Sequence, residues 1–251
     1  MPGATKPKRE KTAGWYPLAA LVIPFLNLVG RYRMQHLERI PKQGPFILTP
    51  NHNSNLDPLV TAYVVWRGGR VPRFLAKASL FKVPVFGSIL RATGQIPVER
   101  AGVGATKSLE AASRLVDDGL AVIVYPEGSL TRDPDLWPMR GKSGAVRLAL
   151  EHGVPVVPCA HWGVQRILPT YGKRLSFFPR KDVNIVVGEP VDLSAFRGRP
   201  IDAALLAEAT GVVMQAITGL LEGIRGEQAP TERWDPAAHG QSEYGRPEER
   251  R

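Results

Sequence analysis

Between residues 46 and 187, short runs rich in Val, Ile and Leu alternate with longer stretches whose apolar residues recur every three or four positions. This alternation constrains the fold most. Successive strands joined by helices can pair in parallel, because a parallel connection needs a crossover of about a dozen residues or more. Residues 46–49, 73–76, 95–98, 121–125, 154–159 and 183–187 read as strands, and their apolar character suits burial on both faces. Residues 58–67, 84–92, 104–118, 142–152 and 201–223 read as helices. In 104–118, Leu109, Ala112, Leu115 and Val116 share one side. The expectation is an α/β fold, a mixed and largely parallel sheet flanked by helices, with an N-terminal membrane-associating helical segment.

The chain of 251 residues suffices for one such domain, placed at 31–226. Residues 1–12 and 227–251 are polar and Pro/Gly-punctuated, and are expected to be disordered tails. Residues 13–30 are apolar apart from Asn27 but carry Pro17 and Pro24. They are expected to form a broken helical hairpin at a bilayer interface, with Trp15 and Tyr16 at headgroup depth. A buried core helix is the alternative; a cleaved signal is disfavoured, since Asn27–Arg31 is a poor small-x-small cleavage site. The net charge of +10 favours anionic partners. The ends do not supply it, because residues 1–12 carry +3 and 227–251 carry −2. The single cysteine, Cys159, excludes an intramolecular disulfide.

The most informative stretch is Pro50-Asn51-His52-Asn53-Ser54-Asn55-Leu56-Asp57-Pro58. An apolar strand ends just before it, and Pro58 suits the first residue of a helix. His52 and Asp57 therefore stand beyond a strand end, where open α/β sheets place their ligands. Neutral imidazole can take a proton from an attacking hydroxyl, and a carboxylate on its other ring nitrogen fixes the tautomer and stabilises the imidazolium. Read alone, Asp57 is equally a helix N-cap.

Three further blocks follow: Gly94-Gln95-Ile96-Pro97-Val98-Glu99-Arg100, Tyr125-Pro126-Glu127-Gly128-Ser129 and Val154-Pro155-Val156-Val157-Pro158. An arginine beyond a strand end can clamp a phosphate with its planar fork. A glycine after a buried strand allows close approach by a ligand, and the neighbouring Glu127 can orient an acceptor or a loop. With His52 and Asp57 as a His-x-x-x-x-Asp motif, these blocks, in this order, resemble the glycerophospholipid acyltransferase family, and within it the 1-acyl-sn-glycerol-3-phosphate acyltransferases. The resemblance covers roughly residues 30–195. It implies transfer of a fatty acyl group to the free hydroxyl of a lysophosphatidic-acid-like acceptor without a covalent acyl-enzyme. Related acyltransferases use glycerol 3-phosphate, another lysophospholipid or a glycolipid.

The resemblance further implies that Arg100 and Lys77 hold the acceptor phosphate and that Glu127, Gly128 and Ser129 belong to the acceptor site. Many relatives carry an arginine directly after the Ser/Thr of the Tyr125–Ser129 block, whereas this chain has Leu130 and Thr131 before Arg132. No cofactor or metal is expected beyond acyl-CoA or acyl-ACP (acyl carrier protein) as co-substrate. The expected partners are a lysophospholipid acceptor, the acyl carrier and a membrane surface, at the cytoplasmic face of the plasma membrane. A basic membrane or nucleic-acid binding protein is the non-enzymatic alternative. Nucleic acid is not expected, because no aromatics interleave with the basic residues as in a binding module. Lys142 near a helix start invites a P-loop reading, which fails because Leu136 stands where that pattern needs glycine. Cys159 with His161 is set aside as a nucleophile–base pair in favour of packing.

Overall fold

The computed structural model describes Glu10, residues 15–98 and residues 103–242, without the side chains of 98 and 103–108. Helix α1 (Trp15–Val29) leads into strand β1 (Gly30–Gln35), followed by β2 (Phe46–Pro50) and α2 (Asp57–Arg67). Strand β3 (Leu75–Lys77), helix α3 (Phe86–Ala92), strand β4 (Ile96–Val98) and helix α4 (Val103–Asp117) come next. The chain then forms β5 (Ala121–Ile123), α5 (Gly144–His152), β6 (Val156–Trp162), β7 (Lys181–Val187) and α6 (Ala203–Arg225).

The main sheet has the order β1-β7-β6-β2-β5, parallel throughout except between β6 and β7. A bridge from Phe74 to Ile123 carries the layer on to the β3-β4 pair. The mixed, largely parallel sheet is as expected. The period-two alternation of strand side chains explains how two helical layers cover it. On β2, Phe46 and Leu48 face a cluster shared with Leu26 of α1 and Val60 and Val64 of α2. Ile47 between them faces the opposite cluster, with Ala112 of α4, Leu148 of α5 and Val213 of α6. β2, β5 and most of β6 are buried, so the strands around the first motif are enclosed on both faces.

Three expectations need correction. Residues 13–30 do not form a broken hairpin. Within their described part, α1 runs unbroken through Pro24, which lies on the exposed side. Trp15 is buried, whereas Tyr16 is exposed and meets Trp66 edge-on with ring centroids 5.8 Å apart. The remaining outward side of α1 is apolar apart from Asn27, with Ala20, Leu21 and Leu28 exposed. α6 is long and apolar enough to cross a membrane, but its stripe through Leu206, Val213 and Ile217 is core.

Residues 227–242, placed in a disordered tail, pack on the domain instead. Arg140 N donates to Trp234 O, Arg140 pairs with Asp235 at 3.0 Å, and Ala229 N donates to Glu222. At the other end Glu10, also assigned to a tail, is built into the structure. The buried guanidinium of Arg70 donates to Glu10 at 2.6 Å and to the carbonyls of Pro41, Gly44 and Gly119. Arg73 lies 3.5 Å from the same carboxylate. Removing one partner of a buried ion pair strands the other charge. Glu10→Ala should therefore lower the free energy of unfolding by about 3–5 kcal/mol in a urea titration. A change below ~1 kcal/mol would show that Arg70 does not depend on Glu10.

Candidate active site

The turn that follows β2 is fastened from several sides, and this makes its geometry definite. Asn51 pairs with β6 like a further strand residue. Its Nδ2 donates to His161 O at 3.1 Å, and its Oδ1 accepts from His161 N at 2.9 Å. The main chain of His52 is held at both ends, its N–H by Glu127 Oε1 at 2.9 Å and its carbonyl by Thr131 N at 2.7 Å. Thr170 Oγ1 donates to Asn53 O at 2.6 Å, and Ser54 Oγ donates to Leu168 O at 2.7 Å. Three distant segments thus fix four consecutive residues.

Asp57 opens α2 and is fully buried. Its carboxylate does not cap its own helix. Oδ2 turns back and accepts from the amides of Asn53 and Ser54, both at 2.7 Å, and from His52 Nδ1–H at 3.0 Å. An ionised carboxylate can only accept, so this contact places the imidazole proton on Nδ1 and leaves the lone pair on Nε2. Among the described residues no hydrogen bond reaches Nε2, and the side chain keeps 14% exposure. The ring stacks on Tyr125 with centroids 4.1 Å apart and planes 28° from parallel. Tyr125 is held in turn by a 2.8 Å hydrogen bond between its hydroxyl and Thr61. Burial first, and then the Asp57 charge, push the Tyr125 phenol well above its ordinary pKa, so it stays neutral.

His161, set aside as a packing residue, lies against this pair. It is buried, its Nε2–H donates to Asn51 O at 3.0 Å, and the same nitrogen is 3.7 Å from Asp57 Oδ1. Burial lowers its pKa, with the Asp57 charge opposing, which suits a neutral imidazole that fixes Asn51. Cys159 is buried and its thiol is pushed up to about 12 by burial, a state unsuited to nucleophilic attack.

The Tyr125–Ser129 block supplies support more than surface. Glu127 is buried, with Oε1 on His52 N and Oε2 on Met139 N. Gly128 adopts φ +73°, and an added Cβ there would stand 3.1 Å from the Lys142 side chain, so both backbone and packing call for glycine. The buried Ser129 Oγ and the buried Asn53 carboxamide have no hydrogen-bond partner among the described residues. Such orphans beside the motif mark a volume that water or a ligand can fill. Arg132 is also buried here, and its charge acts on the Tyr171 hydroxyl. Lys77 ends β3, exposed, opposite Val98 on β4. Arg100 lies outside the described residues. Spacing does not reveal the supporting roles of Asn51, Thr131, His161 and Thr170, whose partners lie up to 117 residues away.

The Acyltransferase family model matches residues 31–162, which contain His52, Asp57, Glu127 and His161. The chain belongs to the acyltransferase family. It is 31% identical over 160 residues to a chloroplastic 1-acyl-sn-glycerol-3-phosphate acyltransferase of Brassica napus, covering 63% of this chain and 44% of that protein. It is 27% identical over 175 residues to human 1-acyl-sn-glycerol-3-phosphate acyltransferase beta, covering 69% and 60%. The chain thus spans about half the length of the curated relatives it matches. The crystal structure of the 1-acyl-sn-glycerophosphate acyltransferase from Thermotoga maritima has the same fold. Its TM-score is 0.61 at 23% identity, with 85% of this chain and 80% of that one covered.

Glu127 provides a test of this arrangement. Burial raises its carboxyl from an ordinary 4.5 to about 8, with the Met139 and His52 amides opposing. The folded protein then keeps a proton that the unfolded chain releases above 4.5, so this group's contribution to stability falls as pH rises from 4.5 to about 8. Glu127→Gln should remove that slope in urea titrations across the range. It should also lower stability by about 1–3 kcal/mol, because one amide loses its acceptor. Parallel pH profiles for the two proteins would contradict the assignment.

Proposed function

We propose that the protein transfers a fatty acyl group from an acyl thioester to the free hydroxyl of 1-acyl-sn-glycerol 3-phosphate, giving phosphatidic acid. The observation that carries this reading is the His52–Asp57 contact in a chain of the acyltransferase family, with Oδ2 of Asp57 also anchored on two backbone amides. The relatives' names supply the acceptor.

His52 Nε2 takes the hydroxyl proton as the oxygen attacks the thioester carbonyl carbon, and the ionised Asp57 stabilises the imidazolium that forms. The tetrahedral intermediate collapses, its C–S bond breaks, and the departing thiolate takes the proton from His52. Ester and thiol are the products, with no acyl group on the protein at any point. Lys77 and Arg100 bind the acceptor phosphate in this reading, Lys77 standing opposite the strand that leads towards Arg100. Glu127 acts at one remove, by holding the His52 main chain, while Gly128 and Ser129 shape the adjoining wall.

The donor is acyl-CoA or acyl-ACP. The acceptor is an amphiphile, and the exposed apolar residues of α1 support association with a membrane surface, which we place at the cytoplasmic face of the plasma membrane. Leu80, Val83, Phe86 and Ile89, exposed on the segment after Lys77, support it too.

His52→Ala should lower kcat by about 10²–10⁴-fold in a thiol-release assay with lysophosphatidic acid and acyl-CoA, while far-UV circular dichroism is unchanged. Folded His52→Ala with wild-type turnover would overturn the mechanism. Arg100→Ala should raise KM for the acceptor without a matching change for the donor, because it removes a phosphate contact. Acceptor kinetics equal to wild type would remove Arg100 from the site.

A further inference from the structure

The segment between β6 and β7 combines unopposed positive charge with exposed aromatic residues. Residues 164–181 contain Arg166, Lys173, Arg174, Arg180 and Lys181, and no acidic residue. At the centre of this positive stretch lie two aromatics that the fold leaves outside, Phe177 at 43% and Phe178 at 73% exposure. Water solvates such a pair poorly, and the core could have been satisfied without it. Leu175, two residues earlier, packs inward, as do Val164 and Ile167 at the start of the segment. An exposed apolar tip ringed by one sign of charge marks a surface built for a partner.

Its attachments show where that surface sits. Leu168 accepts from Ser54, and Thr170 donates to Asn53, so the segment begins on the turn that carries His52. Ser176 N then donates to Ile167 O at 2.7 Å, which brings the chain back beside that turn immediately before Phe177. On the far side of the two aromatics, Arg180 donates to Gly30 O at 2.8 Å, where α1 ends and β1 begins. Leu28, half exposed, is two residues away on α1. Phe177 and Phe178 therefore stand between the end of the apolar helix and the histidine turn.

We infer that residues 173–181 form a lipid-contacting loop that seats on an anionic phospholipid surface. Phe177 and Phe178 enter the boundary between headgroups and acyl chains, and Lys173, Arg174, Arg180 and Lys181 face the phosphates. Two features select a bilayer over a protein partner. The charge is uniformly positive with aromatics at the tip, the pattern that places aromatic rings at headgroup depth and basic side chains on an anionic leaflet. The loop is also fastened by Arg180 to Gly30 at the end of α1, close in sequence to the exposed Leu28. The inference rests on the membrane association in the proposed function and adds to it the lipid chemistry and a second contact. Its consequence is that the bilayer lies next to His52, where an amphiphilic acceptor can leave it.

The test is co-sedimentation of the full chain with vesicles of phosphatidylcholine alone or with roughly one-third phosphatidylglycerol. The wild type should prefer the anionic vesicles. The Phe177→Ser/Phe178→Ser variant should partition about 10-fold or more weakly into them, since two aromatic side chains no longer leave water. Lys173→Ser/Arg174→Ser should lose most of the preference for phosphatidylglycerol. Both pairs are exposed at the charged or aromatic positions changed, and thermal unfolding should remain at the wild-type temperature. Thiol release with acceptor in detergent micelles should be unchanged, whereas with acceptor in vesicles it should fall in step with binding. Equal vesicle binding by the aromatic variant and the wild type would overturn the inference, whatever the enzyme assay shows. Lost vesicle binding in a protein without transferase activity would instead uphold the loop and reject the proposed function.

Discussion

One carboxylate oxygen organises the functional centre. Oδ2 of Asp57 gathers two main-chain amides and the Nδ1–H of His52 from a turn that would otherwise have three donors in a dry setting. Unpaired, each donor would carry a desolvation penalty of about 1–3 kcal/mol, more for the charged partner. Satisfied together, they convert a flexible Asn/Ser turn into a fixed mount. The orientation of the imidazole then follows from the fold. The Tyr125 stack on one face and the Glu127 and Thr131 bonds to the His52 main chain leave it little freedom.

The sheet exists, from the site's point of view, to bring those partners together. β2 delivers the histidine turn, α2 delivers Asp57, β5 leads to Tyr125 and Glu127, and β6 carries His161. β2 lies between β5 and β6, so residues emerging from their ends meet without long side chains. The rest of the molecule seals the faces. Helices α1 and α2 cover one side, and α4, α5 and α6 cover the other. Burial on both faces excludes water from the base of the site, and electrostatic contacts such as the one between His52 and Asp57 are stronger there.

Much of this was legible in the sequence, for identifiable reasons. β2, β5 and β6 announced themselves because strands buried on both faces must be apolar at every position. β1 did not. Gly30–Gln35 carries Arg31, Arg33 and Gln35 outward with Tyr32 and Met34 partly inward, an alternation that signals an edge strand but whose charge masks it. Pro24 suggested a break in α1, yet the helix passes through it because the ring sits on the exposed side, away from Leu26 and Val29. Residues 227–242 read as a tail because their anchors, such as the Trp234 carbonyl on Arg140, are contacts with no local pattern. The motif pair was readable from spacing and family likeness. The supporting residues were not, since Asn51 and His161 find each other only through the pairing of β2 with β6.

The open side of the imidazole sets a direction of approach. In the proposed reaction, the acceptor's hydroxyl reaches Nε2 from the side left open, with its phosphate towards Lys77 and Arg100. The most direct measurement is an experimental structure of the protein with lysophosphatidic acid bound. The free hydroxyl should lie about 2.6–3.2 Å from His52 Nε2, with Nδ1 still on Asp57. A bound acceptor whose hydroxyl lies away from Nε2, or a His52 ring turned away from Asp57 in that complex, would contradict it.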